Sequence, residues 1–222
     1  MSKYNLLPEL DKTLDQVKSL NISEERKEIL KVLIDYIQSK VDQEKEVNLN
    51  FICTHNSRRS QFSQIWAQTA ADYFGIHANC YSGGVEVTAF NERAVASLKR
   101  SGFIVSSKGE DNPIYFILNS YDGEPMTTFS KLFDDPINRA DQFAAVMTCS
   151  HADENCPFIP GTEKRIPVRY DDPKAFDDTP EEASKYDERS MQIASELFYV
   201  FSNIKMKIPI RVDSGLKIDS FK

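Results

Sequence analysis

The chain has 222 residues, 41% of them hydrophobic and 27% charged, enough for one globular domain with a sizeable core plus an extension. A formal net charge of −7 speaks against a nucleic-acid partner, and any anion the chain holds must be held by local donors against its overall field. The N-terminus does not resemble a signal peptide and no apolar run reaches membrane length, so a cytoplasmic protein without a membrane partner is expected.

Residues 1–46 form an extension. Leu6, Leu7, Leu10, Leu14, Val17 and Leu20 share one helical face, Asn21-Ile22-Ser23-Glu24-Glu25 looks like a break with a new N-cap, and Ile29, Leu30, Val32, Leu33, Tyr36, Ile37 and Val41 continue as a second helix. This helical hairpin is expected to pack on the domain or on a second copy, as in a homodimer. Val47–Ile52 alternates as a strand does, and Gln61–Phe74 carries apolar residues at helical spacing, which leaves Cys53–Ser60 as a tight loop between them.

His77–Ser82 reads as a strand that ends in Gly83-Gly84. Asn91–Ser101 reads as a helix stopped by Gly102. After the short apolar Phe103-Ile104-Val105, the runs Pro113–Leu118 and Thr127–Phe133 flank Tyr121-Asp122-Gly123-Glu124, a signal for a hairpin or long loop inserted over about 108–140. Phe143–Met147 fits a buried parallel strand, Arg165–Tyr170 a further strand, and Pro180–Ile204 a long helix, followed by a tail at 205–222.

Alternating strands and helices indicate an α/β fold with a parallel sheet and helices on both faces. Ligands of such sheets bind beyond the carboxyl ends of the strands. Cys53 and Cys149 both lie at such ends and are expected to be neighbours in space.

The loop Cys53-Thr54-His55-Asn56-Ser57-Arg58-Arg59-Ser60 carries the chemistry. A lone cysteine at a strand end is ordinarily a small hydrophobe. Cys-x5-Arg-Ser between a strand and a helix is more specific, because each neighbour has a task. Backbone N–H groups of the loop and of the helix start can cradle a tetrahedral oxyanion. Arg59 adds a fork of donors, and the same positive field favours a nucleophilic thiolate at Cys53, to which Ser60 can donate.

Four cysteines, at 53, 80, 149 and 156, form no Cys-x-x-Cys pair, and three histidines, at 55, 77 and 151, are scattered, so no metal or cofactor is expected. In a reducing compartment this cysteine usage points to redox chemistry. Cys149 and Cys156 stand in a polar, loop-like stretch where a thiol has little packing value, whereas Cys80 reads as a packed core thiol.

These motifs resemble those of the low-molecular-weight protein tyrosine phosphatases and, within that fold, the thioredoxin-coupled arsenate reductases. The matching residues are Cys53-Thr54-x-Asn56-Ser57-x-Arg59-Ser60-Gln61, Tyr81-Ser82-x-Gly84, Thr148-Cys149-Ser150-x-Ala152-Asp153-x-Asn155-Cys156-Pro157 and Tyr170-Asp171-Asp172-Pro173, within residues 47–204. The third motif marks the reductases.

The resemblance implies a three-layer sandwich around a four-stranded parallel sheet and a 47–204 catalytic domain. It also implies Cys53 as nucleophile on arsenate or a phosphate ester, Arg59 and the 54–60 loop as oxyanion contacts, and Asp172 as general acid. Cys149 and Cys156 follow as a redox pair served by a thioredoxin-like reductant, or as guards of Cys53 against oxidation in a phosphatase. Asp134-Asp135-Pro136 is a second Asp-Asp-Pro whose spacing does not fit, and Asp135 reads as a turn residue. His55 stands where the family usually has Gly, Arg58 where the reductases have Cys, and Gln64 where they commonly have a Glu that helps to hold potassium. Asn56 is expected to brace the loop. For Arg58, a solvated charge and a second anion contact are equally open.

Overall fold

The computed structural model describes residues 5–138, 141–155 and 158–206. Its centre is a parallel sheet of β1 (Val47–Cys53), β2 (Ala78–Gly84), β6 (Phe143–Met147) and β7 (Thr162–Pro167) in the order β2-β1-β6-β7. The pleat sorts the side chains. Leu49, Phe51, Ala144, Val146 and Ile166 face one large core, and Ile52, Phe143, Ala145 and Met147 a smaller one on the opposite face. The large core is closed by α2 (Glu24–Asp42), α3 (Arg59–Phe74) and α6 (Glu182–Ser202). The smaller one is closed by α5 (Ser150–Asn155), Phe133 and Ile159. Helix α3 is buried on nearly every side, which explains its weak amphipathic pattern.

The expected elements recur with shifted edges. β2 runs through Gly83-Gly84 rather than ending before them, and β7 lies at 162–167 rather than 165–170. Ser150–Asn155 is helical, so the expectation of a loop there is corrected. The stretch is polar because α5 is short and buries little besides Ala152.

Residues 104–128 build a second sheet. β3 (Ile104–Lys108), β4 (Ile114–Leu118) and β5 (Met126–Thr128) form a separate antiparallel sheet in the order β3-β4-β5. The hairpin around Asp122-Gly123 joins β4 to β5, but 129–133 is no strand and contributes one bridge, Leu132 to Gly84.

The N-terminal helices share the domain's core. Leu10, Leu14 and Val17 of α1 (Pro8–Ser19) and Leu30, Leu33 and Ile37 of α2 are buried in it, although Leu20 is exposed past the end of α1. Part of their apolar surface is therefore covered within the chain, while Ile29 and Val32 of α2 stay exposed. Ser23 caps α2 by accepting the Arg26 N–H. Helix α4 (Glu92–Arg100), capped by Asn91, ends at Gly102 with φ +100°, where a Cβ would stand 2.4 Å from the Leu10 nitrogen. Glycine there serves both the turn and the close passage of α1.

One contact ties the extension to the carboxyl end of the sheet. Arg26 Nε and Nη2 donate to the two oxygens of Glu196 at 2.9 and 2.8 Å, and the guanidinium lies 4.8 Å from the Tyr170 ring centroid. Glu196 is only 2% exposed. Arg26→Met is expected to lower the unfolding free energy by about 3–5 kcal/mol, because it leaves a buried carboxylate without its cation. Denaturant titration of both proteins measures this, and a loss below about 1 kcal/mol would show that the pair is dispensable.

Candidate active site

The loop after β1 is held from several sides. Asn56 adopts φ +46°, a left-handed conformation that asparagine tolerates. Its Oδ1 accepts the Lys131 N–H at 3.0 Å, its Nδ2 donates to Ser60 Oγ at 2.9 Å, and its carbonyl accepts from Gln61 Nε2 at 2.9 Å. The side chain thus locks the loop to the insertion on one side and to α3 on the other. Gly84 lets the loop pass: a Cβ there would lie 2.8 Å from the Asn56 nitrogen. Ser57 Oγ donates to the Ala89 carbonyl, and the His55 carbonyl accepts from the hydroxyls of Thr88 and Ser130. The His55 ring turns outward, 3.3 Å from Glu86.

Cys53 is 4% exposed and its Sγ lies 3.0 Å from Ser60 Oγ. Ser60 Oγ already accepts from Asn56, so its own proton is free to be donated to the sulfur. That is the polarity a thiolate requires.

Arg59, the first residue of α3, donates from Nη1 to the Tyr170 carbonyl at 3.0 Å and from Nη2 to Asp172 Oδ2 at 2.7 Å. Its Nε is buried without a hydrogen-bond partner among the described residues. Asp172 also accepts the Lys174 N–H at 3.1 Å. The fold brings Arg59 and Asp172 together although they are far apart in sequence. Asp135 accepts the Ile137 N–H at 3.0 Å, the contact of a turn residue. Arg58 is no solvated charge: Nε donates to the Tyr186 hydroxyl at 3.0 Å, and Nη1 lies 3.8 Å from Asp172.

Cys149 belongs to the same small core as Cys53. Its Sγ lies 3.5 Å from Thr54 Oγ1, on the residue that follows Cys53, and accepts the Ala152 N–H at 3.4 Å. Thr54 Oγ1 is also 3.2 Å from His151 Nδ1. Cys156 lies outside the described residues. Cys80 is packed in the large core, where burial pushes its thiol well above the ordinary range.

Gln64 Oε1 accepts the Ser82 hydroxyl at 2.6 Å, and the Thr128 hydroxyl donates to the neighbouring Gln61 Oε1. A neutral amide oxygen thus stands where a carboxylate would bring negative charge.

Lys131 is the residue that sequence reasoning missed, since a lysine in a loop is ordinarily solvated. Here it is 3% exposed, and its ammonium makes no hydrogen bond among the described residues, lying 5.1 Å from the Phe129 ring centroid. Burial pushes its pKa down to about 8, with Asp135 opposing. Between that value and the ordinary 10.5 the unfolded chain binds more protons, so this group makes stability rise with pH across the window. Lys131→Met is expected to remove that rise, on the order of 2–3 kcal/mol. Unfolding curves of parent and variant from pH 7 to 10.5 that stay parallel would contradict it.

Comparison with known proteins follows the same lines. The chain is 32% identical over 130 residues to an arsenate reductase of Brevibacillus brevis, covering 59% of this chain and 79% of the relative. It is 33% identical over 132 residues to an arsenate reductase of Bacillus subtilis, covering 60% and 78%. No protein-family profile matches the chain. Among solved structures, a low-molecular-weight protein tyrosine phosphatase from T. tengcongensis gives 15% identity and a TM-score of 0.46 over 71% of this chain and 99% of that one. An arsenate reductase in its phosphate-binding state gives 18% and 0.42 over 72% and 99%.

Proposed function

Because the chain belongs to the arsenate reductase family, we propose that it reduces arsenate to arsenite through Cys53, Cys149 and Cys156. The observation that carries this reading is the approach of Cys149 to Thr54, which places a second thiol beside the nucleophile's loop.

The loop amides and Arg59 hold the oxyanion, and the Cys53 thiolate attacks arsenic while hydroxide or water leaves. Cys149, as thiolate, then attacks Cys53 Sγ. The sulfur–sulfur bond forms, the sulfur–arsenic bond breaks, and its electron pair reduces As(V) to As(III), released as arsenite. Attack by Cys156 on Cys149 frees Cys53 and leaves a Cys149–Cys156 disulfide for a thioredoxin-like reductant. The reaction suits a reducing cytoplasm.

No described helix is long and apolar enough to cross a membrane. Arg59 must exchange part of its bond to Asp172 for the anion. Arg58, 3.8 Å from the same carboxylate, is placed to take over Asp172 when it does.

A second activity is favoured by Asp172. Asp172 stands beside Arg59 at the loop, where a carboxyl can protonate the oxygen that leaves arsenic and equally the leaving oxygen of an ester. As a general acid it would support hydrolysis of aryl phosphates. Asp172→Asn is expected to slow aryl phosphate hydrolysis by about a hundred-fold or more while phosphate binding persists. If Asp135→Asn were the damaging change instead, the acid would be misassigned.

The decisive assay sets arsenate with a thioredoxin system beside an aryl phosphate, followed by non-reducing mass mapping. Arsenate-dependent NADPH consumption and a Cys149–Cys156 disulfide are expected. Aryl phosphate turnover with no arsenate-dependent disulfide would replace the reductase reading by the phosphatase one.

A further inference from the structure

We propose that Thr54 and His151 form a proton relay that carries the Cys149 thiol proton to the surface when Cys149 closes a disulfide with Cys53. A thiol attacks only as thiolate, so Cys149 must lose a proton. At 2% exposure it has little direct access to water.

Its sulfur meets two polar neighbours of different kinds. The Ala152 N–H, at 3.4 Å, can steady negative charge on the sulfur but cannot accept a proton. The Thr54 hydroxyl, at 3.5 Å, can both accept and donate. On its far side lies His151 Nδ1 at 3.2 Å, in an imidazole that is exposed to solvent.

The transfer balances in two hops. The Cys149 proton passes to Thr54 Oγ1 as the Thr54 proton passes to Nδ1, which requires the tautomer with hydrogen on Nε2. The imidazolium then returns a proton to water. His151 lies two residues after Cys149, in the first turn of α5, so the thiol and the end of its relay sit on one segment. Thr54 adjoins Cys53, so the relay is complete only while Cys149 is beside the sulfur it attacks. His151 acts through Thr54 and is a positioning residue for the sulfur chemistry.

The relay deepens the three-cysteine reading but does not depend on arsenic. Hydrogen peroxide oxidises the Cys53 thiolate to a sulfenic acid. Attack by Cys149 then forms the same disulfide as the sulfur–oxygen bond breaks and water leaves. The same thiol proton must go in both cases.

The test uses the full chain carrying Cys156→Ser, so that Cys53–Cys149 accumulates. Its formation is timed by alkylation quench and non-reducing mass mapping after arsenate and, separately, after hydrogen peroxide. His151→Ala and Thr54→Val are each expected to slow closure about a hundred-fold in any arm where the parent closes. Added imidazole should restore the rate in His151→Ala in proportion to its concentration and should leave Thr54→Val slow. A purely structural role for His151 would give no such rescue.

Unchanged closure rates, or a slow His151→Ala that imidazole does not restore, overturn the relay even if arsenate reduction proceeds. Closure of the parent with peroxide but not with arsenate, slowed by His151→Ala and restored by imidazole, upholds the relay and overturns the reductase reading. Failure of the parent to close in either arm overturns both.

Discussion

Cys53→Ser is expected to abolish arsenate-dependent disulfide formation and aryl phosphate hydrolysis together, with a rate loss of at least about 10⁴-fold. Serine keeps the shape and can keep the contact to Ser60, which lies 3.0 Å from the Cys53 sulfur. It cannot keep the nucleophile, because a hydroxyl ionises far less readily than a thiol, and Ser60, which accepts from Asn56, faces position 53 as a donor. The anion cradle is built from backbone amides and Arg59 and should survive, so the variant should still bind phosphate or arsenate. Calorimetry of anion binding beside both activity assays reads the two effects separately. Residual turnover of more than about one part in 10³ would move the nucleophile elsewhere in the chain.

Cys149→Ser and Cys156→Ser are each expected to stop repeated arsenate turnover, at different stages. Without Cys149 no thiolate displaces arsenite, and no product appears even in a first turnover. Without Cys156 one equivalent of arsenite is released and the enzyme stalls as Cys53–Cys149. That disulfide is held in the small core between two buried sulfurs, where a protein reductant reaches it poorly. Neither change alters Arg59, Asp172 or the contacts that hold Asn56, so aryl phosphatase activity should persist in both. A burst of one arsenite per enzyme in Cys156→Ser and none in Cys149→Ser is the signature. Equal bursts in both would show that another thiol attacks the adduct.

The nucleophile's loop was legible because its chemistry is local. Strand alternation before Cys53 and helical spacing after Ser60 place the loop at the carboxyl end of a strand, and five intervening residues bring Arg59 round to the same cradle. A cap within Asn21–Glu25 and the stop at Gly102 were legible for the same reason, since caps and stops are set by the dihedrals and side-chain reach of one or two residues. The insertion was read only in part. Asp122-Gly123 announced the β4–β5 turn, but β3 is mostly exposed and lacks the alternation that marks a half-buried strand.

What the sequence by itself determined is the identity and order of the groups on which the proposed chemistry rests: a cysteine, an arginine and a serine in one loop, a distal Asp-Asp-Pro, and a second pair of cysteines. Only the tertiary structure decided which of them meet. It pairs Arg59 with Asp172, sets Arg58 against Tyr186, links Thr54 to both Cys149 and His151, and buries the Lys131 side chain. It also draws the N-terminal helices into the core through Arg26 and Glu196, 170 positions apart. Spacing along a strand or helix is fixed by backbone geometry and shows in a window of a few residues. Contacts between distant segments depend on how whole faces pack and which polar groups must be satisfied once water is gone, and no local pattern records that.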